Sequence, residues 1–165
     1  MFENFSMRTG RVLFWARFKA GQRGAGAIGV DDLLLGILIE DQGKRATPTS
    51  KMLGNPGASH IAAPSHSPFF RRETATDVLS RIESLLPASK PIGPSTELPL
   101  SADLERVLVR AKDVQEMFHH SQVEPLHLLA AALTEGSSDG VNLLQEAGFT
   151  KEQVLEGLKS AADYQ

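Results

Sequence analysis

Two stretches of the chain carry the same pattern of apolar and polar positions. The first runs from Ser6 to Glu40 and the second from Ser101 to Glu135, at a constant offset of 95 residues and without a gap. Nine of the aligned positions are identical, whereas chance agreement would give roughly two. The chain therefore contains a duplicated structural unit.

The first copy has the pattern of two helices joined by a glycine-rich turn. Leu13, Ala16 and Ala20 recur at helical spacing behind Ser6, whose hydroxyl is a good helix cap. We therefore predict a helix from Ser6 to about Ala20, ended by the three glycines that follow. A second helix begins near Val30 and is apolar almost all round, which predicts a central, buried position.

Residues 41–73 interrupt this periodicity with glycine, proline, serine and histidine. We predict a long loop there, with one short helical turn at 51–53. Helical spacing then returns, with Thr74 as the expected cap, and completes a first repeat that spans residues 1–86. Four prolines within residues 87–99 predict a linker.

Residues 100–165 repeat the plan of the first copy. Ser101 is expected to cap the first helix of this copy, Pro125 to open the second and Thr150 to cap the last, with one more helix between them. No segment alternates with the two-residue period of a strand. We predict an all-α protein, built as a tandem, pseudo-twofold repeat of two four-helix units.

Composition and charge narrow the classes of function. A formal net charge of −3 without a basic run argues against nucleic acid as a partner. The chain has no cysteine, which excludes disulfides, thiolate catalysis and Cys-ligated zinc. No apolar run approaches the roughly 18 residues of a membrane span, and the N-terminus shows no apolar signal region. We expect no membrane partner and a cytoplasmic location.

Motifs for cofactors and catalysis are missing from the sequence. It contains no GxxxxGK[ST] phosphate loop, and the run GQRGAG at 21–26 has neither the order GxGxxG nor a preceding strand. The carboxylates of Glu3, Asp31, Asp32 and Asp41 lack a neighbouring nucleophile in the pattern. We predict no cofactor and no catalytic residue.

Both copies resemble a known family. MFENFSMRTGRVL followed by IGVDDLLLGIL is similar to the start of the N-terminal domain of Clp-type AAA+ unfoldases, which has the motifs F-[TS]-x-R-A and I-G-T-E-H-L-L-L-G-L. VEPLHLLAAAL and LLQEAGFTKEQVLEGL look like the disaggregase branch of that family. The resemblance implies an eight-helix, pseudo-twofold bundle that binds protein substrates or adaptors and passes them to an ATPase ring, without catalysis of its own.

The missing phosphate loop means that the ATPase part of such a protein is not in this sequence. We expect either a free-standing Clp-repeat protein or a domain excised from a larger one, and the long predicted loop favours the free-standing form.

In one branch of the family each repeat holds a phosphorylated arginine, and the resemblance implies a candidate site in the first repeat. Ser6 and Arg8 match the positions that hold the phosphate, and Asp31 matches the glutamate that pairs with the guanidinium. Plain helix capping is the alternative for Ser6 and Asp31. In the second repeat Asp103 and Leu126 replace Arg8 and Asp31, so we expect no such site there.

Phe14 and Phe18 lie off the apolar stripe of the first helix, one turn apart. Val109 and Asp113 occupy the equivalent positions of the second copy. The two aromatic side chains are therefore candidates for contact with a substrate, an adaptor or a second copy of the chain. The alternative is that Phe69-Phe70, in the long loop, folds back and covers them.

The histidines offer a weak pattern for a metal site. His119, His120 and His127 come nearest to a cluster, but no HExxH motif occurs and adjacent histidines at a helix end point in different directions. His127 matches a histidine of the family, for which a structural hydrogen bond at a helix start is the expected role. We predict no metal site.

Together these patterns predict a non-enzymatic protein-binding module that recognises substrate segments or adaptors, or regulates a Clp chaperone or protease. Two alternatives stay open. One is a structural homo-oligomer in which Phe14 and Phe18 pair between copies. The other is a small helical hydrolase that uses the loop around His60 and His66.

Overall fold

The computed structural model describes residues 4–43 and 68–161. These two ranges contain seven α-helices and no β-strand: α1 Met7–Gln22, α2 Val30–Asp41, α3 Arg72–Leu85, α4 Ala102–Met117, α5 Pro125–Glu135, α6 Asp139–Glu146 and α7 Lys151–Ser160. The predicted all-α class is confirmed. The short helical turn predicted at 51–53 lies outside the described residues. Within the described part of the chain, no helix is both long enough and apolar enough to cross a bilayer.

Side-chain hydroxyl groups begin four of these helices. Ser6, Ser101, Ser138 and Thr150 each accept a hydrogen bond from the backbone N–H three residues further on. Such a bond satisfies one of the donors that the first turn of a helix leaves without an intrahelical partner. Ser6, Ser101 and Thr150 are the caps that the sequence predicts, and Pro125 opens α5 as expected.

Both repeats end their first helix with the same left-handed turn. Gly24 has a φ of 73°, and His119, its counterpart at the offset of 95 residues, has a φ of 55°. In each turn this residue donates its N–H to the carbonyl three residues earlier, and the next residue donates to the carbonyl five residues earlier. Glycine adopts this conformation readily, whereas histidine does so less often. α1 ends at Gln22, beyond the predicted Ala20.

Crossed backbone hydrogen bonds join the two repeats and follow the same offset. The Ser6 N–H donates to the Val123 carbonyl at 3.1 Å, and the Val123 N–H donates at 2.7 Å to the carbonyl two residues before Ser6. The Ser101 N–H donates to the Ile28 carbonyl at 2.9 Å, and the Ile28 N–H donates at 2.8 Å to the carbonyl two residues before Ser101. We call these four bonds the crossed clasp. Each repeat pairs its leading segment with the turn of the other, which is pseudo-twofold symmetry.

Two central helices carry much of the core. α2 and α5 are buried on nearly all sides, as their apolar sequences predict, whereas α1 and α4 each bury one face. Gly36 of α2 allows α1 to approach closely, because a Cβ atom there would lie 2.4 Å from the carbonyl oxygen of Val12. Ala131 occupies the equivalent position of α5 and is fully buried. The interface between α4 and α5 therefore accommodates a methyl group at this position, whereas the interface between α1 and α2 has no room for one.

The segment between α2 and α3 has different limits from those that the sequence predicts. α2 continues through Asp41, and α3 begins at Arg72. Thr74 therefore lies inside the first turn of α3, and its prediction as the cap is wrong. Residues 44–67 of this segment lie outside the described residues.

Asp41 explains the early start of α3. Its carboxylate accepts hydrogen bonds from the N–H groups of Phe69 and Phe70, at 2.7 and 2.9 Å. Phe70 is buried, and its ring centroid lies 4.6 Å from that of Phe149, just before α7. These contacts fix the chain immediately before α3, so the helix begins without a side-chain cap.

The proline-rich residues 87–99 contain no helix. They run alongside the C-terminal end of α1. There the Ser89 N–H donates to the Arg23 carbonyl at 2.7 Å, and the Ile92 N–H donates to the Gly21 carbonyl at 2.8 Å. The segment that connects the repeats is therefore held against the first of them.

Candidate functional site

Ser6, the first residue of the predicted phosphate site, is buried at the start of α1. Its hydroxyl oxygen accepts a hydrogen bond from the Thr9 N–H at 3.1 Å. The same hydroxyl donates to a carboxylate oxygen of Glu124, 2.9 Å away in the second repeat. A phosphate at this helix start would therefore meet a carboxylate of like charge.

Arg8 and Asp31, the other two predicted ligands, each have a partner within the protein. The Arg8 Nε lies 3.4 Å from the carboxylate of Glu40, which also accepts two hydrogen bonds from Arg11. The Asp31 carboxylate accepts a hydrogen bond from the Gly140 N–H at 3.0 Å, at the start of α6. Asp31 thus satisfies a backbone donor of another helix. A phosphoarginine would have to displace these contacts, and its binding stays a prediction.

Phe14 and Phe18 lie next to each other on the outer side of α1. Phe14 is 50% exposed and Phe18 is partly buried, and their nearly parallel rings have centroids 6.4 Å apart. Trp15 is buried beside them, with its ring centroid 5.3 Å from that of Phe14 and 5.7 Å from that of Phe18. The phenylalanines before α3 pack against Phe149 instead. The alternative in which they cover Phe14 is therefore wrong.

Two further residues extend this side of α1 and were missed in the sequence. Met7 is 82% exposed, and Gly10 is exposed with no atom within 4 Å of the place that its Cβ would occupy. Met7, Gly10, Phe14 and Phe18 follow steps of three and four residues, which place them on one side of the helix. We call these four residues the α1 outer face. Their spacing was the signal available in the sequence.

The equivalent side of α4 is polar. Ala102, Glu105, Val109 and Asp113 take the places of the four residues of the α1 outer face, and all four are exposed. Two carboxylates therefore stand where the first repeat has a glycine and an aromatic ring. The duplicated scaffold presents an apolar stripe on one repeat and a charged surface on the other.

Asp32, the third residue of α2, is fully buried and forms an ion pair. Its carboxylate accepts a hydrogen bond from the backbone N–H of the N-cap residue Gly29 at 2.9 Å, which is the half of a capping box that the third residue of a helix supplies. Arg23 donates two further hydrogen bonds to the same carboxylate, at 3.0 and 2.8 Å. This bidentate arrangement compensates the buried negative charge.

His127 stands at the equivalent position of α5 and forms a neutral pair instead. The Glu124 N–H donates to His127 Nδ1 at 2.7 Å, so the proton of the ring sits on Nε2 and is donated to His120 Nδ1 at 2.8 Å. Burial, with a smaller contribution from His120, lowers the pKa of His127 to about 4. Burial also lowers the pKa of His120. His127 thus makes the helix-start hydrogen bond expected of it.

The remaining sequence candidates for chemistry add no site. Within residues 4–43 and 68–161, no three side chains of the metal-binding types come together as they would around an ion. His60 and His66, on which the hydrolase alternative depends, lie outside the described residues.

A family profile matches the chain. The profile of the Clp repeat (R) N-terminal domain family matches residues 73–147 and, in a second and overlapping match, residues 99–165. Together the two matches span residues 73–165, which is more than half of the chain. No curated protein matches the sequence significantly.

Several solved structures share the fold. The N-terminal domain of the caseinolytic protease associated chaperone ClpD from Arabidopsis thaliana is 19% identical, has a TM-score of 0.62 and covers 96% of both chains. The Hsp104 N-terminal domain from Candida albicans is 17% identical, has a TM-score of 0.65 and covers 99% of this chain and 94% of its own. A protein from preliminary structural investigations of a malarial protein secretion system is 16% identical, has a TM-score of 0.67 and covers 94% of this chain and 92% of its own.

These identities concern the fold alone. The profile match, however, extends over more than half of the sequence, and the all-helical structure agrees with it. The chain belongs to the Clp repeat (R) N-terminal domain family.

Proposed function

We propose that this Clp N-domain module binds polypeptides, as a receptor for substrate segments or adaptor proteins or as a regulator of a Clp chaperone or protease, and that it has no catalytic activity of its own. Family membership supports a binding role of this kind. The cytoplasmic location expected from the sequence stays a prediction.

The observation that carries the proposal is the exposed apolar surface on α1. Phe14 is half exposed, and Met7, two turns earlier on the same side of the helix, is 82% exposed. Exposed aromatic and methionine side chains in one stripe are typical of surfaces that bind proteins. The second repeat has the same backbone plan without such a stripe, so the scaffold itself does not require these residues.

Titration with polypeptides tests the proposal directly. The full chain would be titrated with a permanently unfolded protein, reduced and carboxymethylated lactalbumin, and separately with a Clp ATPase ring. We expect saturable binding to at least one of them, because the exposed aromatic side chains would be desolvated on contact. Absence of binding to both would reject the function.

The two alternatives predict different results in simple measurements. A structural homo-oligomer requires a mass above that of one chain in light scattering, and the substitution Phe14→Ala should then reduce it. A hydrolase requires turnover of generic ester or peptide substrates that is lost in the double variant His60→Ala and His66→Ala. A monomeric mass without turnover would exclude both alternatives.

A phosphoarginine site in the first repeat, formed by Ser6, Arg8 and Asp31, is a separate proposal. Calorimetry with a phosphoarginine peptide tests it, with Asp31→Ala as the loss variant and Leu126→Ala as the matched control in the second repeat. Binding that Asp31→Ala abolishes and Leu126→Ala preserves would support the site. No binding to the unsubstituted chain would reject it and leave capping as the role of Ser6 and Asp31.

A further inference from the structure

We propose that the α1 outer face is a docking site for an acidic amphipathic helix of a partner protein. The inference rests on the proposed function, that the module binds polypeptides, and adds the place and the chemistry of the partner. It depends on three features of α1: the straight apolar stripe, the bare glycine within it and the cations beside it.

The shape of the stripe fits a helix. Met7 and Phe18 are eleven residues apart, which corresponds to about 16 Å along the helix axis, or three turns. The stripe runs nearly parallel to that axis because its members are three or four residues apart. A second helix that crosses α1 at a small angle can follow such a stripe along its whole length.

Gly10 opens the middle of the stripe. It lies between Met7 and Phe14 and has no atom within 4 Å of its Cβ position, so the fold would accept a larger residue there. An exposed glycine inside a helix lowers helix stability relative to alanine. A bare backbone at this point is useful to a partner, since it lets a large side chain of a second helix sit against α1.

Positive charge lies on both sides of the stripe. α1 contains four cationic residues and no anionic one. At 100° per residue, Arg11 falls on one side of the stripe and Arg17 on the other. Arg11 is exposed and shares the single carboxylate of Glu40 with Arg8, which leaves one net positive charge on that side. Arg17 donates to the backbone carbonyls of Gly93 and Thr96, which carry no net charge.

These charges specify the partner. A helix that packs on the stripe would bring its flanking residues next to Arg11 and Arg17, so carboxylates are favoured there and lysines are disfavoured. A second copy of α1 is disfavoured for the same reason, since it would place cations against cations. The equivalent side of α4 carries Glu105 and Asp113 within the stripe, and it lacks both the apolar surface and the charge pattern for this partner.

The test uses a designed peptide and the tryptophan of the protein. The probe is an amphipathic helix of about 14 residues, roughly 21 Å long, with a leucine stripe flanked by glutamates. Trp15 is the only tryptophan of the chain and lies against Phe14 and Phe18, so its fluorescence reports contact at the stripe. A peptide with lysine in place of glutamate and a scrambled peptide are the controls. We expect the glutamate peptide to bind at least about tenfold more tightly than either control.

Two substitutions in α1 locate the contact. We expect Phe14→Ala to weaken binding by about tenfold or more, the usual effect of removing a central interface aromatic. Gly10→Leu should weaken it similarly while it keeps or raises the melting temperature, because leucine is a better helix former and finds open space. Val109→Ala, the counterpart of Phe14→Ala on α4, should leave binding unchanged.

Several results would overturn the proposal. They are equal affinity for the glutamate and lysine peptides, unchanged binding in Phe14→Ala, and unchanged binding in Gly10→Leu. A dimer in light scattering that Phe14→Ala dissociates would assign the face to a second copy instead. If the chain binds unfolded lactalbumin or a Clp ring but not the glutamate peptide, the docking proposal fails and the binding function stands. If it binds none of them, both fail.

Discussion

The two repeats begin their central helices with different chemistry on the same backbone. At the third residue of α2, Asp32 is held by Arg23 in a buried ion pair, whereas at the third residue of α5, His127 is held by His120 in a neutral pair. Both side chains accept a hydrogen bond from the residue that caps their helix. The backbone requires an acceptor at this point, and it leaves the charge of that acceptor open.

This difference has consequences for stability. Removal of one member of a buried ion pair strongly destabilises a protein, because the other member is left as a buried charge without a partner. For a buried neutral imidazole, the stability of the fold depends instead on the pH, because protonation would place a positive charge in the interior.

Removal of Arg23 should destabilise the protein most. Arg23→Ala leaves the fully buried Asp32 without its cation, and the expected loss is about 3–5 kcal/mol. Arg106→Ala is the control, since Arg106 pairs with Asp103 on the surface and its removal should change the stability by less than about 1 kcal/mol. Urea unfolding of both variants provides the measurement. Equal losses would show that the buried pair Arg23–Asp32 stabilises the fold no more than the surface pair Arg106–Asp103 does.

Acid should destabilise the protein through the second repeat. The folded pKa of His127, about 4, lies below its ordinary value near 6.5, so the unfolded chain takes up a proton first as the pH falls. The stabilisation is complete above pH 6.5 and declines toward pH 4, with a loss of about 2 kcal/mol by pH 5. His120 acts in the same direction.

The variant His127→Gln separates this effect from other titrations. Glutamine keeps a side-chain acceptor but does not titrate, so its unfolding free energy should change much less between pH 7 and pH 5 than that of the unsubstituted chain. Urea midpoints at four pH values would give both curves. Parallel curves would contradict the assignment of the acid sensitivity to His127.

Gly36 should tolerate a methyl group poorly. In Gly36→Ala the new Cβ would meet the Val12 carbonyl oxygen, and we expect a loss of about 1–3 kcal/mol from overpacking. The reciprocal change Ala131→Gly should cost about 1–2 kcal/mol, because it removes a buried methyl group and because glycine loses more backbone entropy in a helix. Thermal and urea unfolding measure both. A stabilised Gly36→Ala variant would show that α1 and α2 pack no more closely than α4 and α5.

The smallest expected effect is the difference in stability loss between the substitutions of the two serine caps, Ser6 and Ser101. Ser101→Ala removes one capping hydrogen bond, and the expected loss is about 1 kcal/mol. Ser6→Ala removes the equivalent bond and also the contact with Glu124, so its loss should be greater by about 1 kcal/mol. A smaller loss for Ser6→Ala would mean that the Glu124 contact contributes nothing. That result would also remove an obstacle to anion binding at this helix start.

Much of the fold was predictable because it depends on local signals. The buried pattern of α2 and the caps at Ser101 and Thr150 each involve residues a few positions apart, and the duplication is a match between two such local patterns. Helix ends were less predictable where distant residues decide them. α3 starts early because Asp41 binds the backbone before it, and that contact spans 28 or 29 residues. The left-handed turn at His119 lacks the glycine that marks its counterpart at Gly24.

The candidate sites were less predictable than the fold for the same reason. The sequence identifies Asp31 as a polar residue in a first turn, but its contact with the Gly140 N–H lies 109 residues away. Likewise, nothing near Ser6 in the sequence indicates the carboxylate of Glu124. The α1 outer face was recognised only in part. The spacing of Met7 and Gly10 was visible in the sequence, but spacing does not show that this side of the helix is exposed.

The crossed clasp makes this chain the covalent equivalent of a symmetric dimer. Each half supplies the edge that completes the other, as the two subunits of an isologous dimer do. Residues 87–99 act as a short tether, which makes the association of the halves intramolecular and raises their effective concentration to roughly the millimolar range. In a true homodimer every substitution appears twice, on both sides of the axis. Once the halves are joined in one gene product, one of them can acquire an apolar outer surface while the equivalent surface of the other stays charged.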